Sequence, residues 1–409
     1  MIKKIIILSS VMCQFIWANV ELMSKLELTN NSNALKILSK GNMIGSLDFK
    51  NEIMIFNINH PFDHFVWYRY SKNDITYATN VSFVEYKNDE FLVKFGRDQI
   101  VNGFSKIFGL TSSPTSPSLD QFRFESTMSQ KLKYKSFIAR LDNRPIINRN
   151  EMNMIYRWYY YREISFKFDE NLTFGLYDGL ISTGEKRSLD WYYLIPFTSF
   201  FMERKHEPIW SDNQDTTSSI GVGDNDNHFI GFNWLLKGNN YRFYGELIID
   251  EYQLDESSKD NIQTVFGFLS GISLEVKDLN ISCEYALGSP HLYLNRAVYG
   301  GLEKHWQPLG LHYPKSQSFG LILSYTNKNN VLYSILYKRQ LISDQYIYSE
   351  WNAWNNKISI FDTNNVLPDE CRILIENIDS KFFDKISIYF NYLQSSKNQI
   401  LFSKSFKIK

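Results

Sequence analysis

Three stretches hold the residues best equipped for chemistry. In "LDWYYLIPFTSFFMERKHEPIW" (189–210), Trp191, Tyr192 and Tyr193 stand beside Asp190, Glu203 and Arg204. Flat rings stack on sugar faces while carboxylates and a guanidinium bind hydroxyls, the division of labour of a carbohydrate site. The same residues would equally make the aromatic belt of a membrane interface. The second stretch, "WSDNQDTTSSIGVGDNDNH" (210–228), carries Asp212, Asn213, Asp215, Asp224, Asn225 and Asp226. Oxygen ligands at 224 and 226 have the cadence of a calcium loop, but His228 is a poor calcium ligand and no bidentate Glu follows at the right distance. A solvated turn, a loosely held cation or a sugar-hydroxyl site all fit it. The third, "HPFDH", spaces His60 and His64 as a helix would for a metal, yet Pro61 argues against a helix there, so no metal site is assigned. There is no G-x-S-x-G elbow, phosphate-cradling loop or H-E-x-x-H. No catalytic residue and no cofactor is assigned, and the chain reads as a non-enzyme.

The elements that must position these residues are strands. In "ISFKFDENLTFGLYDGLI" (164–181), Ile164, Phe166 and Phe168 share one face against Ser165 and Lys167; after Asp169, Glu170 and Asn171, Leu172, Phe174 and Leu176 resume the alternation. Period two around a short polar break is a β-hairpin. "NVSFVEYKNDEFLVKFGR", "YRFYGELIIDEYQL", "SFGLILSYTNKNNVLYSILYKR" and "KISIYFNYLQSSKNQILFSKSF" repeat the device. Many runs reach nine to eleven residues, the length of a tilted membrane strand rather than the five or six usual in soluble sheets. The greasy face then looks to lipid. Lys94, Arg97, Lys167, Arg242, Glu246 and Asp250 are expected on the wet inner face.

Composition agrees. Phe, Tyr and Trp make up 16% of the 409 residues while mean hydropathy is negative at -0.32, so greasy and polar residues are finely interleaved. Beyond the first eighteen residues no apolar run is long enough for a spanning helix, which leaves strands as the means of crossing a membrane. Those eighteen, MIKKIIILSSVMCQFIWA, have the basic start, short apolar stretch and small Ala18 of a signal peptide, which implies export; with the long strands the expected location is the outer membrane. Basic and acidic residues balance at 44 each, which offers no case for nucleic acid. Cys283 and Cys371 lie in separate strand patterns, and spacing alone does not say whether they pair.

Short turns at 87–89, 169–171 and 327–330 alternate with longer polar connections around 110–120, 182–190, 203–228, 253–261 and 289–317, as barrels require of their two rims. Allowing roughly 20 to 24 residues per strand and connection gives about 16 to 18 strands. "NSNALKILSKGN" (31–42) reads as one short helix over about 30–41, capped by Asn or Ser and stopped by Gly41. The expectation is an all-β, transmembrane antiparallel β-barrel: signal peptide 1–18, then a single domain over 19–409 with that helical segment near its start.

In order along the chain, "FGRDQIVNG", "RPIINRNEMNMIYRWYYYREISFKFDENLTFGLYDGLI", "LDWYYLIPF", "GDNDNHFIGFNW" and "YGELIIDEYQ" resemble the capsule assembly Wzi family of bacterial outer-membrane proteins. The resemblance spans roughly residues 30 to 340. It implies an 18-stranded barrel that attaches capsular or extracellular polysaccharide to the cell surface in a lectin-like way, without catalysis. Gly96, Arg97 and Gly103 match its "GR…G" segment, with Asn102 where Trp is frequent. Its "DN" pair is matched by both Asp212–Asn213 and Asp224–Asn225, and its acidic strand end by Glu246, Asp250 and Gln253. The candidate ligand-binding set is therefore Arg97, Trp191, Tyr192, Tyr193, Asp212, Asn213, Asp224, Asn225, Glu246 and Asp250, on a monomer whose partners are polysaccharide and outer-membrane lipid. A diffusion porin for small solutes shares the same barrel, and the two differ in whether the lumen is open.

Overall fold

The computed structural model describes residues 19–29, 33–42, 47–57, 69–72, 75–114, 116–148, 151–185, 188–195, 227–251, 265–289, 292–293, 303–304, 307–310, 316–328, 331–342, 365–366, 370–378, 385–391 and 399–408. Among them, 21 strands join in one sheet, and every pairing is antiparallel. Residues 1–18, read from sequence as a signal peptide, lie outside the described set.

β1 (Asn19–Thr29), β2 (Asn33–Asn42) and β3 (Leu47–Asn57) begin the sheet, and β4 (Arg69–Lys72) adds briefly to the flank of β5 (Ile75–Lys87), the partner of β3. The ladder runs on through β6 (Phe91–Asp98), β7 (Leu119–Thr127) and β8 (Leu132–Arg140). β9 (Arg144–Asn148) pairs with the start of β10 (Glu151–Lys167), whose remainder lies between β8 and β11 (Leu172–Glu185). Next come β12 (Asn227–Lys237), β13 (Tyr241–Glu251), β14 (Val265–Val276) and β15 (Leu279–Gly288). β16 (Glu303–Lys304) and β17 (Gln307–Pro308) form a separate ribbon. β18 (Ser316–Thr326) and β19 (Leu332–Ile342) follow, with β20 (Asn365–Val366) a small addition to β19, and then β21 (Glu370–Ile378), β22 (Lys385–Asn391) and β23 (Gln399–Ile408). β23 also pairs with β1, from Val20 opposite Ile408 to Thr29 opposite Gln399. With the three short additions β4, β9 and β20 set aside, eighteen strands carry the ladder.

One expectation is corrected. The segment read as a helix over 30–41 holds a strand, Asn33–Asn42, hydrogen-bonded to β1 on one side and β3 on the other. Leu35, Ile37 and Leu38 are too few to stabilise a free helix of that length, whereas two neighbours satisfy the strand's backbone from both sides. Sheet context overrides local propensity here.

The hairpins close through side chains that cap their own turns. Asn88 accepts hydrogen bonds from the amides of Glu90 and Phe91 at 2.9 and 2.8 Å, and Asp169 from those of Asn171 and Leu172 at 2.7 and 2.8 Å. Ser129 and Asn327 act the same way at their turns. These are Asx- and ST-type turns, in which the side chain supplies the acceptor that the reversing backbone lacks. Antiparallel order puts all of them on one rim. The connections at 58–74, 99–118, 186–226, 252–264, 289–315 and 343–369 fall on the other, so the alternation of short and long connections read from sequence recurs in the topology.

The two faces of the sheet differ chemically. Phe95, Phe168 and Leu176 are 67%, 53% and 60% exposed, and Phe166, Ile230, Phe243, Ile272 and Phe319 share their outer face. The inner face is buried: Phe137 stacks on Tyr161 at 5.1 Å and meets Tyr159 edge-on at 5.1 Å, with Tyr177, Phe229, Tyr244 and Ile248 in the same cluster. Such aromatic pairs contribute about 0.5–1.5 kcal/mol each beyond the area they bury. Arg157 and Asp142 form an ion pair at 2.9 Å with almost no exposure. Cys283 and Cys371 are both free, opposite Leu321 and Tyr337 in the ladder.

Candidate functional site

What covers the inner face is the connection between β6 and β7, residues 99–118. Ile100, Ile107, Phe108 and Leu110 enter the aromatic cluster, and the backbone behind them is received by carboxylates projecting from distant strands. On β15, Glu284 accepts the amide of Lys106 at 2.5 Å, that of Ile107 at 3.1 Å and that of Phe108 at 2.9 Å, and also the Tyr244 hydroxyl at 2.7 Å. On β13, Glu246 accepts the Leu110 amide at 3.0 Å, the Thr111 hydroxyl at 3.3 Å and the Tyr177 hydroxyl at 2.9 Å. Asp250 takes the Tyr293 amide at 2.6 Å, and the Tyr293 hydroxyl donates to the Leu110 carbonyl at 2.5 Å. Lys135 reaches Asn102 Oδ1 at 2.5 Å. Successive amides turned toward one anion form a nest, and here the anion belongs to the protein. Close approach demands a small residue beneath: a Cβ on Gly320 would stand 2.8 Å from Ile107 Cγ2.

The second feature lies on the opposite face. Register places Arg97 opposite Asp120, Asp120 opposite Arg140, and Arg140 opposite Trp158. These four line a cavity of about 600 Å³ together with Phe122 and Trp191. Arg97 clamps Asp120 through two bonds of 2.7 Å and also donates to the Thr79 carbonyl at 3.1 Å. Arg140 makes no ion pair among the described residues. Gly96, beside Arg97, has φ of 125°, and a Cβ there would meet the Ser82 carbonyl at 2.3 Å, so the strand can pass only with glycine.

One side of the groove is a segment folded against the outside of the wall. Its 3₁₀ turn, Trp191–Leu194, packs Trp191 edge-on to Phe122 at 5.7 Å, with Trp191 57% exposed. Tyr193 is buried, 4.7 Å from Tyr160, in a small cluster with Ile138 and Leu180. The Asp190 amide donates to the Tyr160 hydroxyl at 3.0 Å. Arg162 holds Asp178 by two bonds and donates to the Ile195 carbonyl at 2.8 Å, pinning the segment to strands β10 and β11.

Of the sequence-derived candidates, then, Arg97 and Trp191 come together in the outer groove and Tyr193 anchors the segment that carries Trp191. Tyr192 sits in the same turn, its side chain outside the described set. Glu246 and Asp250 face inward, with the wall between them and the groove. Asp212, Asn213, Asp224 and Asn225 lie outside the described residues, as do His60 and His64. The expectation that Arg97 faces inward is corrected: it is three residues from Lys94, which pairs inward with Glu85 at 3.0 Å, and a regular strand turns residues of odd separation to opposite faces. Glu284, Asp120 and Arg140 were missed, because a single charge in an alternating strand carries no local signal. Among the described residues no three His, Cys, Asp or Glu side chains gather as a metal site would require.

The sequence matches no family model and no curated protein. By shape the chain is similar to the Escherichia coli outer-membrane protein Wzi, described as a carbohydrate-binding β-barrel involved in group 1 capsule assembly, with a TM-score of 0.55 at 12% identity over 98% of this chain and 86% of that one. Pseudomonas aeruginosa OccK8 (OprE) gives 0.49 at 11% identity, over 96% and 98% of the two chains. Acinetobacter baumannii OccAB2 gives 0.49 at 10%, again over 96% and 98%. The likeness to Wzi shows the fold: this is the fold of an outer-membrane β-barrel.

Proposed function

We propose that the chain is an exported, monomeric outer-membrane protein that binds or anchors capsular or extracellular polysaccharide at the cell surface. Residues 19–409 form its single domain, a barrel of eighteen strands closed where β1 meets β23, with residues 1–18 removed as signal peptide. The long connections face outward from the cell, as short turns normally face the periplasm. Trp191, Tyr192 and the Asp–Asn pairs at 212–213 and 224–225 meet the polysaccharide from that rim, with Arg97 positioning the wall beneath them. The role is binding, with no bond made or broken.

One observation carries this reading over a diffusion porin: residues 99–118 are seated on the inner face and held by Glu246, Glu284 and Asp250. A segment tied by buried, charge-assisted hydrogen bonds obstructs the path that solutes need. The test is single-channel conductance of refolded protein in planar bilayers, beside a pull-down with the organism's own surface polysaccharide. Negligible conductance with capture of the polysaccharide is the expected result. A steady open conductance with no capture would make the protein a channel.

A further inference from the structure

We infer that the outer-wall groove framed by Phe122, Trp158 and Trp191 binds a phosphorylated glycolipid of the surrounding outer leaflet. The inference rests on insertion of the barrel in an outer membrane; it shares Trp191 with the proposed polysaccharide contact but does not require that contact.

Position is the first argument. Arg140 and Trp158 share a row of the ladder that lies eight positions above Leu132, at the short-turn end of β8. At ~3.3 Å per residue and a tilt of about 40°, that row stands roughly 20 Å above the short-turn rim, near the top of the ~25 Å apolar band of such barrels. The groove therefore opens where acyl chains end and headgroups begin. Below it Phe95, 67% exposed, continues the groove into the apolar wall.

Charge is the second. Arg97 is neutralised by Asp120 in a bidentate pair, while Arg140 has no ion-pair partner among the described residues. A lone guanidinium on a lipid-facing wall is costly unless an anion meets it, and its planar fork of donors matches phosphate oxygens. The flanking indoles suit a sugar ring that carries the phosphate, and about 600 Å³ accommodates a headgroup sugar. An amphiphile with a phosphorylated sugar head and acyl chains fits all three surfaces: guanidinium, indoles and exposed phenylalanine.

The test uses the full chain in zwitterionic phosphatidylcholine nanodiscs, titrated separately with bisphosphorylated lipid A, its fully deacylated sugar and inorganic phosphate. Heat-modifiable gel migration checks that each variant is folded. Lipid A is expected to bind, the deacylated sugar more weakly and phosphate weakest. Arg140→Glu should weaken lipid A binding by about tenfold or more, Arg140→Lys by only about threefold, since Lys keeps the charge and loses the fork. If folded Arg140→Glu binds lipid A as the wild type does, the inference is wrong. Equal binding of lipid A and its deacylated sugar would also overturn it, making the groove a plain saccharide site. Soluble polysaccharide is tested on the same discs: lipid A binding without polysaccharide capture retains this inference while sinking the proposed function, and the reverse pattern does the opposite.

Discussion

The inner and outer faces of the wall are made by the same alternating strands, yet they use charge in opposite ways. Inside, Glu246 and Glu284 are satisfied by protein donors: amides of residues 106–108 and 110, and the hydroxyls of Thr111, Tyr177 and Tyr244. Outside, Arg97–Asp120 and Arg162–Asp178 pair side chain to side chain, and Arg140 stands without an ion pair among the described residues. A buried carboxylate ringed by backbone amides is a structural fastening, because displacing those amides costs the desolvation of each. An unpaired cation beside aromatic rings is an invitation to a ligand. Charge alone does not mark a binding site; the partners already present decide.

That contrast can be broken most forcefully at Glu284. Glu284→Ala orphans the buried amides of Ile107 and Phe108, the part-buried amide of Lys106 and the Tyr244 hydroxyl, and should lower stability by about 4 kcal/mol and free residues 99–118, so that bilayer recordings show conductance steps absent from the wild type. Next comes Arg157→Ala, which strands Asp142 in a closed environment; a loss of about 3 kcal/mol is expected in urea unfolding followed by gel mobility, without a gain of conductance. Gly320→Val pushes on Ile107 and should cost about 2 kcal/mol, with lipid A binding at the outer groove unaltered. The smallest effect belongs to the turn rim. The amides of Leu172 and Asn171 hold the Asp169 carboxyl below its usual range. A carboxylate whose folded value is depressed stabilises the fold at neutral pH and loses that contribution as pH falls through the folded value. Wild type and Asp169→Asn should therefore differ slightly in unfolding rate at pH 7 and converge in strong acid; a difference that persists there would contradict the capping account.

Much of this was legible in the sequence because lipid-facing strands repeat one rule over and over. Ile164, Phe166, Leu176 and Phe243 declare their face by period two, and Asn88, Asp169 and Asn327 mark the turns. The helix expected at 30–41 failed because three apolar residues satisfy a period of 3.6 almost as well as a period of two, and the neighbours that decide are elsewhere in the chain. The seating of 99–118 was illegible for a related reason. "QIVNGFSKIFGL" has no periodicity, and its fastening residue Glu284 is 178 positions from Lys106. Trp191 and Arg97 were found through their residue types and a resemblance, but that they share a groove depends on a register set by β6, β7, β8 and β10 together.

The capped turns bear on the order of assembly. Each closes a hairpin within a few residues, so neighbouring strands can zip as they are delivered, at little entropic cost. Residues 99–118 follow another timetable: their amides wait for a carboxylate on β15, and the seam between β1 and β23 waits for the last strand of all. Residues 99–118 therefore reach their final hydrogen bonds only after the strands that carry Glu246 and Glu284 have been delivered.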